Sequence, residues 1–196
     1  NLGGGGSWLL TTINGVAPSS LQYANGQFTE TAASGGGGST STGSSVSTSA
    51  ATYVAPSGVT NITLTGWSAQ TVTGNNAGDT FVSSNATANH LTGGTGADTF
   101  YLGRGGDIVT GGGGADTFIM KEYAWAAGGE ITDFSSQDVI DVASLLQRYG
   151  YAGSNALADG TLSLTSNGHG DTQLWLNMNN LGGGGSWLLT TINGGA

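Results

Sequence analysis

From Gly93 to Ile119 the chain repeats every nine residues. The units read Gly93-Gly-Thr-Gly-Ala-Asp-Thr-Phe-Tyr, Leu102-Gly-Arg-Gly-Gly-Asp-Ile-Val-Thr and Gly111-Gly-Gly-Gly-Ala-Asp-Thr-Phe-Ile. Each sets an aspartate (Asp98, Asp107, Asp116) two residues before a large apolar side chain (Phe100, Val109, Phe118). Neither the 3.6-residue helical period nor plain strand alternation generates this beat. It divides naturally into a six-residue turn, which glycine can bend through positive φ, and a three-residue strand. The beat continues upstream. Val72, Phe81, Leu91, Phe100, Val109 and Phe118 are separated by 9, 10, 9, 9 and 9 residues, with one inserted residue between Phe81 and Leu91. If neighbouring units fall on opposite sheets of a parallel coil, the interior holds two ladders: Phe81, Phe100 and Phe118 facing Val72, Leu91 and Val109. A flexible glycine linker would have no reason to keep this order.

Such a coil has an electrostatic difficulty. Two units make one full turn, so Asp98 and Asp116, 18 residues apart, stack on each other. Carboxylates held that close repel unless a cation lies between them. The 38 glycines add an ordering cost of roughly 1 kcal/mol or more per residue. Calcium accepts six to eight oxygen ligands in flexible geometry, which carboxylates and peptide carbonyls supply. The chain has no cysteine, and an all-oxygen site argues against zinc or copper. Upstream, Asn89 and Gln70 stand where aspartate would, whereas Asp79 keeps its carboxylate before Phe81.

At these positions the chain resembles the RTX, or haemolysin-type, calcium-binding repeats, Gly-Gly-x-Gly-x-Asp-x-U-x with U a large apolar residue. Two copies fit at every defined position; the middle one has Leu102 for the first glycine. The resemblance implies calcium as cofactor, with Asp98, Asp107 and Asp116 binding through side chains. It implies carbonyl ligands from the turns around Gly94, Gly96, Gly103, Gly105, Gly112 and Gly114, with Asp79 a further ligand. Residues 58–92 are then roll coils with few or no ions, and 93–119 the metal-bearing part. Glu130-Ile-Thr-Asp-Phe-Ser-Ser-Gln-Asp-Val-Ile-Asp-Val-Ala-Ser-Leu-Leu follows the family's post-repeat region. There Asp133 is either a ligand of the last ion or a capping carboxylate, Asp138 reads as a turn residue, and Asp141 caps a short helix through Leu145, Leu146 and Tyr149.

The expected fold is all-β: a parallel β-roll with a flanking C-terminal region of antiparallel strands and short helices. Thr161–Thr165 and Thr172–Met178 alternate polar with apolar around a turn at Ser166-Asn-Gly-His-Gly, predicting a hairpin. Residues 1–15 recur unchanged at 180–194, and Ser186-Trp-Leu-Leu-Thr-Thr-Ile reads as a strand in both copies. Near-identical tandem modules explain this duplication, with circular permutation as the alternative. Either way the first copy is expected to suit the slot that follows residue 180. Residues 1–30 form a terminal strand and helix segment, the helix running from Pro18 to Gly26. Residues 31–57, mostly Ser, Thr, Gly and Ala, read as a linker, the alternative being an ordered outer strand. The roll spans 58–129 and the post-repeat region 130–196.

Lys and Arg number 3 against 12 Asp and Glu, giving a net charge of −9. Such a surface repels nucleic acid, and no stretch is long and apolar enough to span a bilayer. No His-Glu-x-x-His, no Gly-x-Ser-x-Gly and no phosphate-loop lysine is present, so the chain is read as non-enzymatic. His90 and His169 are read as turn histidines, and Glu122 and Glu130 as surface glutamates rather than a hydrolytic pair. The five tryptophans are read as core or interface packing, with sugar stacking as the alternative. The resemblance further implies type I secretion, with an uncleaved C-terminal signal, to the exterior or surface of a Gram-negative bacterium. Two functions fit. One is a calcium-folded structural module of a repetitive surface-layer, fibril or adhesin protein, self-associating head to tail. The other is a C-terminal export and polysaccharide-binding module of an exoenzyme.

Overall fold

The computed structural model describes residues 21–24, 27–30, 39–42, 44–83, 85–122 and 128–194. The expected strand in the first copy of the duplicated segment lies outside them. The chain divides into two units, Asn1–Ala33 and Ser34–Ala196.

In the first unit, β1 (Leu21–Ala24) pairs antiparallel with β2 (Gln27–Glu30), with Ala24 opposite Gln27. This corrects the helix expected up to Gly26. Only Asn25 and Gly26 separate the strands, and Asn-Gly is the pair favoured in two-residue hairpin connections. The sequence reading took Gly26 for a helix stop.

In the second unit the chain winds between two sheets as a parallel roll of about five coils. Sheet one holds β3 (Ser39–Thr42), β4 (Ser45–Thr48), β6 (Asn61–Leu64), β8 (Thr80–Ser83), β10 (Thr99–Leu102), β12 (Thr117–Met120) and β14 (Val139–Asp141). Sheet two holds β5 (Thr52–Val54), β7 (Thr71–Thr73), β9 (His90–Gly94), β11 (Ile108–Gly112) and β13 (Gly129–Phe134). It continues into β17 (Ser186–Gly194), β16 (Thr172–Asn177) and β15 (Leu162–Ser166). The roll strands are parallel; β3–β4, β15–β16 and β16–β17 are antiparallel.

Both expected ladders are present. Ile62, Phe81, Phe100, Phe118 and Ile140 align in register along sheet one, and Tyr53, Val72, Leu91, Val109 and Ile131 along sheet two. Phe81, Phe100 and Phe118 are wholly buried and stacked, with ring centroids 4.7 and 5.3 Å apart. Burying one such ring is worth roughly 1.5–3 kcal/mol, and the rings hold the interior at constant width.

The stretch expected as a linker forms strands from residue 39 onward, and β4 and β5 belong to the roll. Val46, Thr48, Ala50 and Tyr53 turn inward and are buried. Thr48 fits there because its hydroxyl accepts the Ala50 N–H at 3.2 Å. A strand docking on a finished sheet edge gains a ladder of backbone bonds and needs few apolar residues.

The C-terminal region is an extension of sheet two. β17 adds parallel to β13, Ile192 beside Ile131, so the second copy of the duplicated segment fills this slot. The predicted hairpin is β15–β16, with Leu174 and Leu176 buried and Trp175 half-buried on the other face. One short helix, α1 (Ala143–Arg148), buries Leu145. Asp141 Oδ1 accepts the Ala143 N–H at 2.8 Å, although Val142 occupies the N-cap position. Trp67 corrects the packing expected of tryptophan: it sits on a turn and is 94% exposed.

Candidate metal centre

The turns stack in two columns on opposite sides of the roll. Column one carries the chain from sheet two to sheet one, its turns ending at Asp79, Asp98 and Asp116; column two returns it, ending at Gln70, Asn89 and Asp107. In each case the residue two places on is a buried rung of a ladder.

Within column one the carboxylates form a relay. Asp98 Oδ1 accepts the Asp79 N–H at 2.6 Å, Asp116 Oδ1 accepts the Asp98 N–H at 2.8 Å, and Asp138 Oδ1 accepts the Asp116 N–H at 2.8 Å. Asp138, expected as an ordinary turn residue, is therefore the fourth rung. Its signal is present as Asp138-Val-Ile140, the same acid-x-apolar spacing, but it arrives 22 residues after Asp116 rather than 18. Asp133 stands next to this column, its two oxygens accepting the Gly111 and Gly112 N–H groups at 2.9 and 2.8 Å. The capping half of its expected role is thus observed.

Asp98 and Asp116 each spend one oxygen on this relay, whereas Asp138 gives its second to the Ser135 N–H at 2.7 Å and both Asp79 oxygens accept from Asn75. Asp98 Oδ2 and Asp107 Oδ2 are buried without a hydrogen-bond partner. Leaving a charged acceptor dry and unpaired is strongly unfavourable, so these atoms call for a ligand. Space exists because the turns lack side chains. A Cβ on Gly93 would strike Asp98 Oδ2 and lie 2.5 Å from the Gly111 carbonyl oxygen; one on Gly111 would strike Asp116 Oδ2; one on Gly74 would strike Asp79 Oδ2 and the Gly93 carbonyl. Carbonyls of Gly93 and Gly111 therefore face the carboxylates, a pair the sequence reading did not single out.

The glycines expected to carry carbonyl ligands also allow close stacking. A Cβ on Gly94, Gly96, Gly105, Gly112 or Gly114 would collide with the backbone of the preceding coil, at Asn75, Ala77, Thr87, Gly94 and Gly96 respectively. They let successive turns stack in contact, and Gly112, at φ +95°, also needs the left-handed region. Gly103 lines a small gap with Gly106, Asp107 and Glu122.

Burial pushes the carboxyls up. Asp98 is raised to about 7 by desolvation, against the pull of the Asp79 N–H, with Asp116 and Asp79 adding repulsion. Desolvation likewise raises Asp79, Asp107 and Asp116, the last with help from Asp138 and Asp133. Without metal, the folded chain at pH 4–7 thus holds a proton that the unfolded chain has released. Its stability falls as pH rises across that window. In calcium-depleted buffer the melting temperature should be higher at pH 5 than at pH 8, and excess calcium should abolish or reverse that order. A melting temperature that rises with pH in depleted buffer would contradict the reading.

Among the described residues no three or more His, Cys, Asp or Glu side chains gather as a protein-only metal cage. A site here must combine one or two carboxylates with peptide carbonyls. The buried orphan oxygens, the all-oxygen surroundings and the glycine-cleared space fit calcium, a hard cation with a flexible shell. The two nearby glutamates are otherwise engaged: Glu122 pairs with Arg104 and with Arg148 (3.0 Å), and Glu130 accepts the Asn193 amide at 2.7 Å.

The architecture defines the class: a parallel β-roll whose stacked turns carry aspartate. Residues 83–118 match the RTX calcium-binding nonapeptide repeat in four copies. Such repeats bind calcium and are generally non-catalytic. Among curated proteins, none matches the chain. No described helix is long and apolar enough to cross a membrane.

Proposed function

We propose that the chain is a non-enzymatic, calcium-folded structural module of a secreted repetitive protein of the surface-layer, fibril or adhesin kind. Asp98 and Asp116 hold ions between successive coils of column one through the oxygens the relay leaves over and the facing turn carbonyls, and Asp107 contributes in column two. The buried, unpartnered Oδ2 of Asp98 carries this reading. Extracellular calcium modules have dissociation constants of about 0.1–1 mM, so the chain stays unfolded and exportable where calcium is scarce and folds outside. The duplicated segment supports head-to-tail association with a neighbouring copy of the module.

Calcium titration followed by circular dichroism and light scattering tests both parts. Strand signal should grow with calcium at millimolar concentrations, and particle mass should rise with it at high protein concentration. A chain with full strand signal in chelator contradicts the coupled folding, and a calcium-loaded monomer contradicts the association.

Trp67 favours a second reading, a polysaccharide-binding export module of an exoenzyme. Its exposed ring borders a shallow groove with Thr63, Thr65, Asn85 and Thr87, where a sugar ring finds a stacking face and hydroxyl partners. Trp67→Ala should abolish glycan-array binding while leaving the calcium response unchanged; an array without signal for the unaltered, calcium-loaded chain removes this reading.

A further inference from the structure

The two columns are not equivalent, and the difference lies in amide side chains. Asn89 is wholly buried at the position where column two would carry aspartate. Its Nδ2 lies within hydrogen-bond distance of four oxygens: Asn85 Oδ1 at 2.8 Å, Thr87 O at 2.9 Å, Asp107 Oδ1 at 2.9 Å and Ser83 Oγ at 3.0 Å. A nitrogen surrounded by a carboxylate, a side-chain carbonyl, a peptide carbonyl and a hydroxyl sits in the kind of shell a hard cation prefers. One coil further up, Gln70 is 2% exposed. Its Nε2 reaches Ala50 O at 2.8 Å and Thr48 O at 3.1 Å, and its Oε1 accepts the Gly66 N–H at 3.0 Å. At the upstream end of column one, Asn75 Nδ2 reaches Val59 O at 2.6 Å, with Pro56 O and Asp79 Oδ1 both at 3.3 Å. Gln70 and Asn75 thus reach oxygens of the preceding coil, and Asn89 ties the oxygens of its own turn to Asp107 of the next, where a bare carboxylate would repel.

We propose that the side-chain amide of Asn89, seconded by Gln70 and Asn75, replaces the cation in the upstream coils, so that β4 to β9 hold together without calcium. An amide N–H donor offers the partial positive charge that the carbonyls and the Asp107 carboxylate need, and it is tethered to the chain. The calcium requirement is then confined to the coils from Asp98 onward, and the upstream coils form a ready-made edge on which β10 to β14 dock when the ion arrives. This inference rests on the calcium reading of column one and divides the roll within it.

Hydrogen exchange on the full chain, read by mass spectrometry with and without calcium, tests it. In calcium-depleted buffer, amides of β6 to β9 should exchange at least about tenfold more slowly than those of β10 to β12, and calcium should protect both groups. Asn89→Asp places a second carboxylate against Asp107. Its β6–β9 protection should disappear in depleted buffer and return with calcium, and native mass spectrometry should count one more ion per chain than in the unaltered protein. Asn89→Ala, which supplies neither amide nor carboxylate, should lose the protection without calcium restoring it fully. Equal exchange in the two halves in depleted buffer, with calcium still protecting both, overturns the amide replacement and leaves the calcium reading standing. An Asn89→Asp chain with unchanged protection and ion count overturns it too. Exchange indifferent to calcium in every strand overturns both.

Discussion

Asp116→Ala should leave the coils from β10 onward unfolded at calcium concentrations that fold the unaltered chain completely. Asp116 borders two inter-coil spaces, one toward Asp98 and one toward Asp138, so its loss disables both. With dissociation constants of about 0.1–1 mM, calcium at about 10 mM adds roughly 1.4–2.7 kcal/mol per site. Two lost sites cost about 3–5 kcal/mol, and the stranded Asp98 N–H, now buried without an acceptor, adds about 1–3 kcal/mol. That sum rivals the whole stability of an ordinary domain, about 5–15 kcal/mol. Asp116→Asn separates the two contributions, since it keeps an acceptor for the Asp98 N–H and removes only the charge. It should melt at or above the unaltered chain in calcium-depleted buffer, having lost the repulsion from Asp98 and Asp138, yet gain little from added ion. Thermal melts with and without calcium measure this. An Asp116→Ala chain with the unaltered calcium midpoint would show that the column binds no ion at this rung.

Phe100→Ala should destabilise the chain with and without calcium alike. The ring is completely buried between Phe81 and Phe118. Truncating it costs about 3–5 kcal/mol in lost burial and cavity formation. No metal oxygen is touched, so the ion sites keep their intrinsic affinity. Because folding and binding are coupled, the lost stability must be recovered from calcium. If three ions share about 4 kcal/mol, the folding midpoint moves up about tenfold in calcium. The two substitutions differ in kind. The first removes the response to calcium, and the second displaces it. A Phe100→Ala midpoint within twofold of the unaltered one would mean that the aromatic ladder is not part of the cooperative unit.

Much of the roll was legible because its signal is periodic. Phe81, Phe100 and Phe118 recur at a spacing that only stacked coils explain, and the ladders follow from that alone. The parts that escaped are those where the beat breaks or where small residues replace apolar ones. Asp138 keeps the acid-x-apolar spacing but comes four residues late. The strands β4 and β5 carry only Val46 and Tyr53 as large inward residues and looked like linker. Gly26 suits a helix stop, yet Leu21–Ala24 and Gln27–Glu30 pair as antiparallel strands, a choice between two short-range signals that propensity cannot settle. Trp67 was weighed as core because tryptophan usually is, yet it lies on a turn, where a parallel roll has no interior to offer.

The local pattern alone determined the coil, its two ladders, the all-oxygen chemistry and the stacking of Asp98 on Asp116, because each depends on residues a fixed step apart. Tertiary structure decided which oxygens are spent and which are free. It turned Asp133 onto the Gly111 and Gly112 amides, brought Asp138 under Asp116, and gathered the oxygens of Ser83, Asn85, Thr87 and Asp107 around the Asn89 amide. Hydrogen bonding is directional and short-ranged, so such assignments emerge only once neighbouring coils are in contact.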